Sequence, residues 1–451
     1  MIDDVFRYID SHADTFVHDL QRLCRQPSIS AQGVGLEACA DLLVAQMQAR
    51  GIPAVIESVP GGPPLVCADV PGERAKTLLI YDHYDVQPPD PVDEWQFDPF
   101  SATIQGGRLY ARGAQDTKGN IVARLAAVEA WLRVRGALPV RVKFLLEGEE
   151  EIGSPHLGDA LAARPDLARA DACLWESGHK DHRDAPTIYL GAKGICYVEL
   201  EAYGARRDLH SSQATTVPNP AWRLVWALST LKDPDERIRI PGFYDGVAAP
   251  SAAEMTLIER IAGSRDADSI RRDLGIPAYV KGLTGVGLVT RDLFEPTCTI
   301  CGLTAGYQGP GSKTVLPRRA ASKVDFRLVP NQRPHDILDK LREHLRRETF
   351  GDFTVRPLGL EEPYKTPFDT PIVDVVAETA EEVYGVPPVV LPSMAGTGPM
   401  HAVCAPFDMP AVGTGIGYAK GNSHGPNENI RITDFIQGIK HIALILERFA
   451  G

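Results

Sequence analysis

The chain has 451 residues, 44% of them hydrophobic and 24% charged, with a formal net charge of -12 at pH 7. That composition is ordinary for a globular protein and excludes a disordered chain, while the acidic balance argues against a general nucleic-acid or anionic-membrane binder, whose surfaces carry Lys and Arg in excess. The length exceeds the size at which a single core usually stops growing, so two domains are expected.

The N-terminus, MIDDVFRYIDSHADTF, is acidic and amphipathic and lacks the basic start and short apolar core of a secretory signal. No apolar run reaches the roughly 18 residues of a membrane span. Eight cysteines scattered through a long chain are not a disulfide scaffold, and a reduced, cytoplasmic protein is expected. Cys298 and Cys301 form one CxxC inside the strand-like run PTCTICGL, where residues three apart point to opposite faces; two strand cysteines explain it better than a metal clasp.

In chain order, helix-like stretches at 3–25 and 35–50 are followed by an apolar strand at 78–81 and a helix over 119–135, with Ile121, Leu125, Val128 and Leu132 on its apolar face. Strand patterns recur at 140–146 and 172–175. This alternation is α/β grammar. From about Ile195 the order becomes strand ICYVELEAYG, helix PAWRLVWALSTL, a polar helical stretch, strands PTCTICGLTAG and ASKVDFRLVP, helix HDILDKLREHLRRETF and strand FTVRPLG, which predicts a small α+β sandwich. After about Pro363 the α/β pattern resumes and closes with a helix over 433–449. The expected organisation is a discontinuous catalytic domain, 1–192 and 364–451, with a mixed central sheet and helices on both faces, interrupted by an inserted domain at 193–363.

Metal-grade side chains cluster just beyond the predicted strands: His83 and Asp85 in YDHYDVQP, Asp116 in GAQDTKGN, Glu150 and Glu151 in EGEEEIGSP, Glu176 in LWESG, and His424 in GNSHGPNE. In open α/β sheets, ligands gather beyond the carboxyl ends of the strands, so residues far apart in sequence can converge there. Each motif also has a plainer explanation. HxD is common in polar loops; Asp116 stands where a helix N-cap would; the Glu149 to Glu151 run is an ordinary acidic turn; Glu176 can be a hydrogen-bonded loop carboxylate. The ensemble favours metals. Adjacent carboxylates repel unless a positive charge lies between them, a carboxylate can bridge two cations about 3.5 to 4 Å apart, and Asp85 is suited to orient His83 from behind. If 149–151 is extended, one Glu can ligate while its neighbour faces the activated water as a general base.

With those motifs in order, the chain resembles the dinuclear zinc exopeptidase and deacylase family, which includes carnosinase-like dipeptidases, carboxypeptidase G, acetylornithine deacetylase and succinyl-diaminopimelate desuccinylase. The resemblance covers essentially the whole chain. It implies that His83, Asp116 and Glu176 hold one divalent ion and Asp116, Glu151 and His424 the other, with Asp116 as the bridge, a cis Asp116–Thr117 peptide, Glu150 as general base and Asp85 behind His83. It further implies that the inserted segment is a lid and dimerisation domain of a homodimer. His210 in ARRDLHSSQ would reach the partner's active site, and Arg327 and Thr314 would hold the substrate's carboxylate. Thr397 in AGTGPM, read as standing near a helix N-terminus, is expected to add an anion contact.

Zinc is the default ion, and manganese or cobalt fit the same ligands. Family dipeptidases tend to carry Asp at the position of Glu176 and its carboxypeptidases and deacylases Glu, whereas EGEEEIGSP is dipeptidase-like. The expected activity is a metal-dependent hydrolysis of an amide bond that releases an amino acid, by a dipeptidase or carboxypeptidase-type exopeptidase. The alternatives are an N-acyl amino acid deacylase and a non-catalytic protein that kept the fold; a complete ligand set beside Glu150 argues against the latter.

Overall fold

A computed structural model describes residues 2–176 and 178–451. The chain forms two compact units, one of Met1–Gly191, Lys365–Met394 and Gly398–Gly451, the other of Ala192–Tyr364 with Ala395–Thr397. Each has its own apolar core. The class is the mixed α/β one that the sequence pattern predicts. Among the described residues no helix is long and apolar enough to cross a membrane.

The first unit is built on an eight-stranded sheet in the order Ala54–Glu57, Leu65–Val70, Leu138–Glu147, Gly72–His83, Ala172–Trp175, Ala411–Gly413, Thr187–Tyr189, Val389–Leu391. The central strands are parallel: Gly72–His83 pairs in that sense with both Leu138–Glu147 and Ala172–Trp175, and Ala411–Gly413 with Ala172–Trp175. Strands buried on both faces read as continuous apolar runs, which is why Leu78–Tyr81 and Ala172–Trp175 show no alternation. Because the central strands run the same way, their carboxyl ends lie at one edge of the sheet.

The helix Lys118–Arg135 is buried from Lys118 through Val128 and again at Ala130 and Trp131, more completely than the four-residue stripe Ile121, Leu125, Val128, Leu132 implies. It packs against the sheet on one side and against the helices Ala13–Arg25 and Ile432–Phe449 on the others, so that only its last turn, with Arg133 and Arg135, meets water. The Trp131 indole donates to the Ala443 carbonyl at 2.9 Å. The helical stretch expected at 3–25 is two helices, Ile2–Ser11 and Ala13–Arg25. At the break, Ser11 Oγ donates to the Tyr8 carbonyl and His12 Nδ1 lies 2.9 Å from the same oxygen, side-chain contacts that compete with the backbone ladder.

The second unit carries a four-stranded antiparallel sheet ordered Thr299–Ala305, Arg319–Leu328, Gly194–Tyr203, Thr354–Glu361. Cys196, Val198, Leu200 and Ala202 alternate inward with Val324, Phe326 and Leu328, and the helices Pro220–Leu231 and Pro334–Arg347 cover that face. Cys298 is buried and Cys301 exposed, both unpaired, as two cysteines of a strand region.

One buried cation ties the carboxyl edge of the first sheet together. Arg124 donates to the carbonyls of Tyr81 (2.7 Å), Trp175 (2.6 Å) and Thr414 (3.1 Å) and pairs with Asp82 at 2.6 Å. Burial pushes the Asp82 carboxyl up to about 7 against the pull of Arg124. Removing one partner of a buried pair leaves an uncompensated charge, so Arg124→Leu is expected to lower stability by about 3 to 5 kcal/mol. Urea unfolding of the purified variant measures this; a loss below about 1 kcal/mol would show that the strand ends hold without it.

Candidate metal centre

Five segments of the first unit bring their side chains to the carboxyl edge of the sheet. His83 is the last residue of Gly72–His83, and Glu176 follows Ala172–Trp175. Asp116 lies in the turn before the helix Lys118–Arg135, and its peptide to Thr117 is cis. Glu150 and Glu151 follow Leu138–Glu147. His424 sits in the loop between Gly417–Tyr418 and Asn429–Arg431 with φ of 62°, in the left-handed region, as are Asn422 and Asn427. Only Asn, Asp and His among non-glycine residues visit that region with any ease, and such strain collects where function fixes the backbone.

The side chains fall into two groups that could each hold a cation: His83 with Glu150 and Glu176, and Asp116 with Glu151 and His424. Asp116 belongs to both by distance. Its Oδ1 lies 3.3 Å from His83 Nε2 and its Oδ2 3.1 Å from His424 Nε2. Glu176 Oε2 is 2.9 Å and Glu150 Oε2 3.9 Å from His83 Nε2; Glu151 Oε2 is 3.2 Å from His424 Nε2. On its other side, His83 Nδ1 is 3.0 Å from the Asp85 carbonyl and 3.3 Å from Asp85 Oδ1.

The residues 149–151 are not extended. Glu150–Ile152 is a turn of 3-10 helix, closed by Gly153 in the left-handed conformation at φ 87°. The Asp85 carboxylate accepts the backbone N–H groups of Glu150 (3.2 Å) and Glu151 (3.1 Å), a cap-like arrangement that a strand would not need. Consecutive side chains of such a turn diverge by about 120°. Glu150 and Glu151 therefore still reach different groups, by helical rather than strand geometry. Glu149 turns away and accepts from the His156 backbone N–H at 2.8 Å.

The electrostatics describe a site short of positive charge. Burial works to lower the His83 imidazole, but Glu176, Asp116 and Asp85 outweigh it and hold it well above the usual range. Hydrogen bonds to Asp116 and Glu151 push His424 up to about 10. Burial, then the neighbouring Glu176, raises Glu150 well above the carboxylate range; burial raises Glu176 against the pull of His83. Asp116 is held low, because its bonds to the two imidazoles outweigh its burial. The raised groups report a negative local field that a cation would relieve. Moreover, His83 Nε2 and Glu176 Oε2 are buried and 2.9 Å apart, yet neither makes an aligned hydrogen bond. They converge on a common point instead of on each other, as ligands do. A donor set of imidazoles and carboxylates fits divalent metal.

The other expected residues lie in the second unit. Arg327 donates Nη1 to Thr397 Oγ1 at 2.5 Å and Nε to Asp325 at 3.2 Å, so these two candidates meet. His210 is exposed and contacts Ser212 Oγ at 2.8 Å, and the Thr314 carbonyl accepts from Ser211 N–H, which makes His210 and Thr314 neighbours. Sequence reasoning passed over Gln87, which donates to Glu151 Oε2 at 2.8 Å, Arg124, and the buried Glu428. A Glu four residues after a ligand His, and an Arg inside an apolar helix, were the available signals.

The model of peptidase family M20/M25/M40 matches residues 79–448. The beta-Ala-His dipeptidase of Rattus norvegicus is 29% identical over 98% of this chain and 94% of its own, and the Cys-Gly metallodipeptidase dug1 of Schizosaccharomyces pombe 28% over 100% and 98%. Among solved structures, the M20 family metallo-carboxypeptidase Sso-CP2 of Sulfolobus solfataricus is 40% identical with a TM-score of 0.92, over 96% of this chain and 99% of that one. Human carnosine dipeptidase 1 is 26% identical with a TM-score of 0.84, over the full length of both. A family model spanning most of the chain, with side chains able to hold metal gathered at one sheet edge, is sufficient: the chain belongs to peptidase family M20/M25/M40 and is a metallopeptidase.

Proposed function

We propose that the protein is a dinuclear exopeptidase that releases an amino acid from dipeptides and from the C-terminus of short peptides, with zinc as its ion. The observation that carries this is the Asp116 carboxylate, whose two oxygens lie 3.3 and 3.1 Å from the imidazoles of His83 and His424. Asp116 would bridge, His83 and Glu176 would complete one site, and Glu151 and His424 the other. Glu150 also stands near His83, but at 3.9 Å it is farther than Asp116 and Glu176, which leaves it for proton transfer. When bound, the two cations would supply Lewis-acid polarisation of the scissile carbonyl and a lowered pKa for water. Glu150 would take the proton from that water and return it to the leaving amine, its carboxyl being kept basic by burial and by Glu176. Asp85 would hold the His83 ring with Nε2 free to ligate.

Two features support the choice of substrate. Relatives matched over nearly their full length are named dipeptidases, and the 40% identical structure is named a carboxypeptidase. Glu176 agrees with the carboxypeptidase side of the family. In either case a free C-terminal carboxylate needs a partner, and Arg327, steadied by Thr397 and close in sequence order to Thr314, has the fork geometry for it. Eight unpaired cysteines suit a reducing cytoplasm.

The second unit also supports a homodimer. Trp222, Val225 and Trp226 stand 59%, 43% and 54% exposed on one helix, and Ile300 and Leu303 stand 52% and 55% exposed on the edge strand Thr299–Ala305. An open sheet edge and exposed aromatics are both surfaces made to be covered. In such a dimer His210 would act on the partner's substrate, steadying the oxyanion.

Metal-stripped protein reloaded with zinc or manganese should release amino acid from free dipeptides and not from N-acetylated amino acids; cleavage of the acylated compounds alone would make it a deacylase. Glu150→Ala should lower kcat by about 10² to 10⁴ while two ions per chain remain bound. Loss of an ion would make Glu150 a ligand instead. Trp226→Glu should shift the sedimentation coefficient from dimer to monomer, and an unchanged coefficient would remove that helix from the interface.

A further inference from the structure

Glu428 is fully buried, four residues beyond His424, and accepts hydrogen bonds on both oxygens. Its Oε1 accepts the backbone N–H groups of Gln115 and Asp116, each at 2.9 Å. Its Oε2 accepts Arg112 Nη1 at 2.7 Å and the Gly113 N–H at 2.9 Å. Burial pushes the Glu428 carboxyl up to about 7 against Arg112, but four N–H donors and no acceptor face its oxygens, so the ionised form is the one that satisfies them. A carboxylate in the His424 loop thus holds three successive points of the Asp116 loop.

The same two loops are stitched a second time. Gln115 donates Nε2 to Ser423 Oγ at 2.9 Å and accepts the Tyr418 N–H at 3.1 Å, while the Ala111 N–H reaches the Glu428 carbonyl at 3.0 Å. The Gln115 side chain lies directly over Gly421, where a Cβ would come 1.6 Å from Gln115 Oε1. Neither His83 nor Glu176 is among these contacts. The stitching is confined to the loops that carry two of the three residues of the Asp116, Glu151, His424 group.

We propose that Glu428 is a positioning residue that holds the backbone of Asp116 in register with His424, so that the bridging carboxylate can serve the second cation as well as the first. This rests on the dinuclear reading above and adds to it a division of labour: the His83 and Glu176 side of the centre is set by the sheet, the His424 side by Glu428. Replacing the carboxylate with an amide puts an NH₂ against N–H donors that have no other acceptor, which lets the Asp116 loop move without changing side-chain size.

The test is metal titration of stripped wild type, Glu428→Gln and Glu428→Asp with zinc by calorimetry, with metal content per chain after dialysis, circular dichroism and kinetics on the same samples. Wild type is expected to take two ions. Glu428→Gln should keep one tight ion, bind the second about 10- to 100-fold more weakly, and lose kcat in step at sub-saturating zinc, with activity recovering as zinc is raised. Glu428→Asp keeps the charge for Arg112 and should fall between. Two ions bound with wild-type affinity in both variants would overturn the inference, as would a stability loss with unchanged affinity or a failure of both variants to fold, since those assign Glu428 to the fold alone. A wild type that takes fewer than two ions would instead overturn the dinuclear reading, which separates the two failures.

Discussion

Mutual repulsion among the carboxylates of Asp85, Asp116, Glu150, Glu151 and Glu176 is the constraint from which most of the first unit can be understood. Two unit charges about 4 Å apart repel by roughly 4 kcal/mol at the effective dielectric of a partly buried site. Left to relax, such a cluster would open. Here it is held closed by the two imidazoles set among the carboxylates and by the backbone that carries it, and the raised His83 and His424 report the negative field that the carboxylates create. The scaffold must therefore be stiff where it meets the cluster, and its stiffness comes from buried polar groups rather than from apolar packing alone.

Sheet register does the first part of that work. Gly72–His83 and Ala172–Trp175 pair in parallel with Leu78 opposite Ala172 and Ile80 opposite Leu174. One step further, Tyr81 stands beside Trp175, and the two rings stack with centroids 3.9 Å apart at 12°. The next residues along the two strands are Asp82 and Glu176, with His83 just beyond, so a lateral spacing of about 4.8 Å between strands delivers an imidazole and a carboxylate to one place. Arg124 then fixes the three strand ends through the carbonyls of Tyr81, Trp175 and Thr414. The loops need a different device, because they have no ladder, and Glu428 with Arg112 occupies that position between the Asp116 and His424 segments.

This division explains what could be read from the sequence. Most of the proposed ligands were visible because they end, or closely trail, an apolar run, and a polar residue at the end of a buried strand is expensive without a purpose. The α/β alternation and the antiparallel insert followed from period alone. Arg124 was hidden because an arginine inside an otherwise apolar helix face looks like a solvent-exposed break in the stripe, and nothing local marks that three carbonyls from distant strands will surround it. Glu428 was hidden for the same reason: its partners lie more than 300 residues earlier. The turn at Glu150–Ile152 was misread as extended because its cap, Asp85, comes from another segment. Local pattern reports which residues leave the core, whereas long-range hydrogen bonding decides where they point.

That last distinction separates Glu150 from Glu151, two adjacent and chemically identical side chains. Both N–H groups are pinned by Asp85, so their backbones are equally fixed. Glu151 then has Gln87 donating to its Oε2 and His424 Nε2 at 3.2 Å from the same oxygen. Glu150 has instead burial and the Glu176 carboxylate, which favour the protonated form and lift its pKa. A ligand must stay ionised through the cycle, while a proton carrier must accept a proton near neutral pH and give it up again. The environments, more than the positions, separate the two side chains, and under the proposed mechanism the closeness of Glu176 would help keep Glu150 basic enough to take a proton from water.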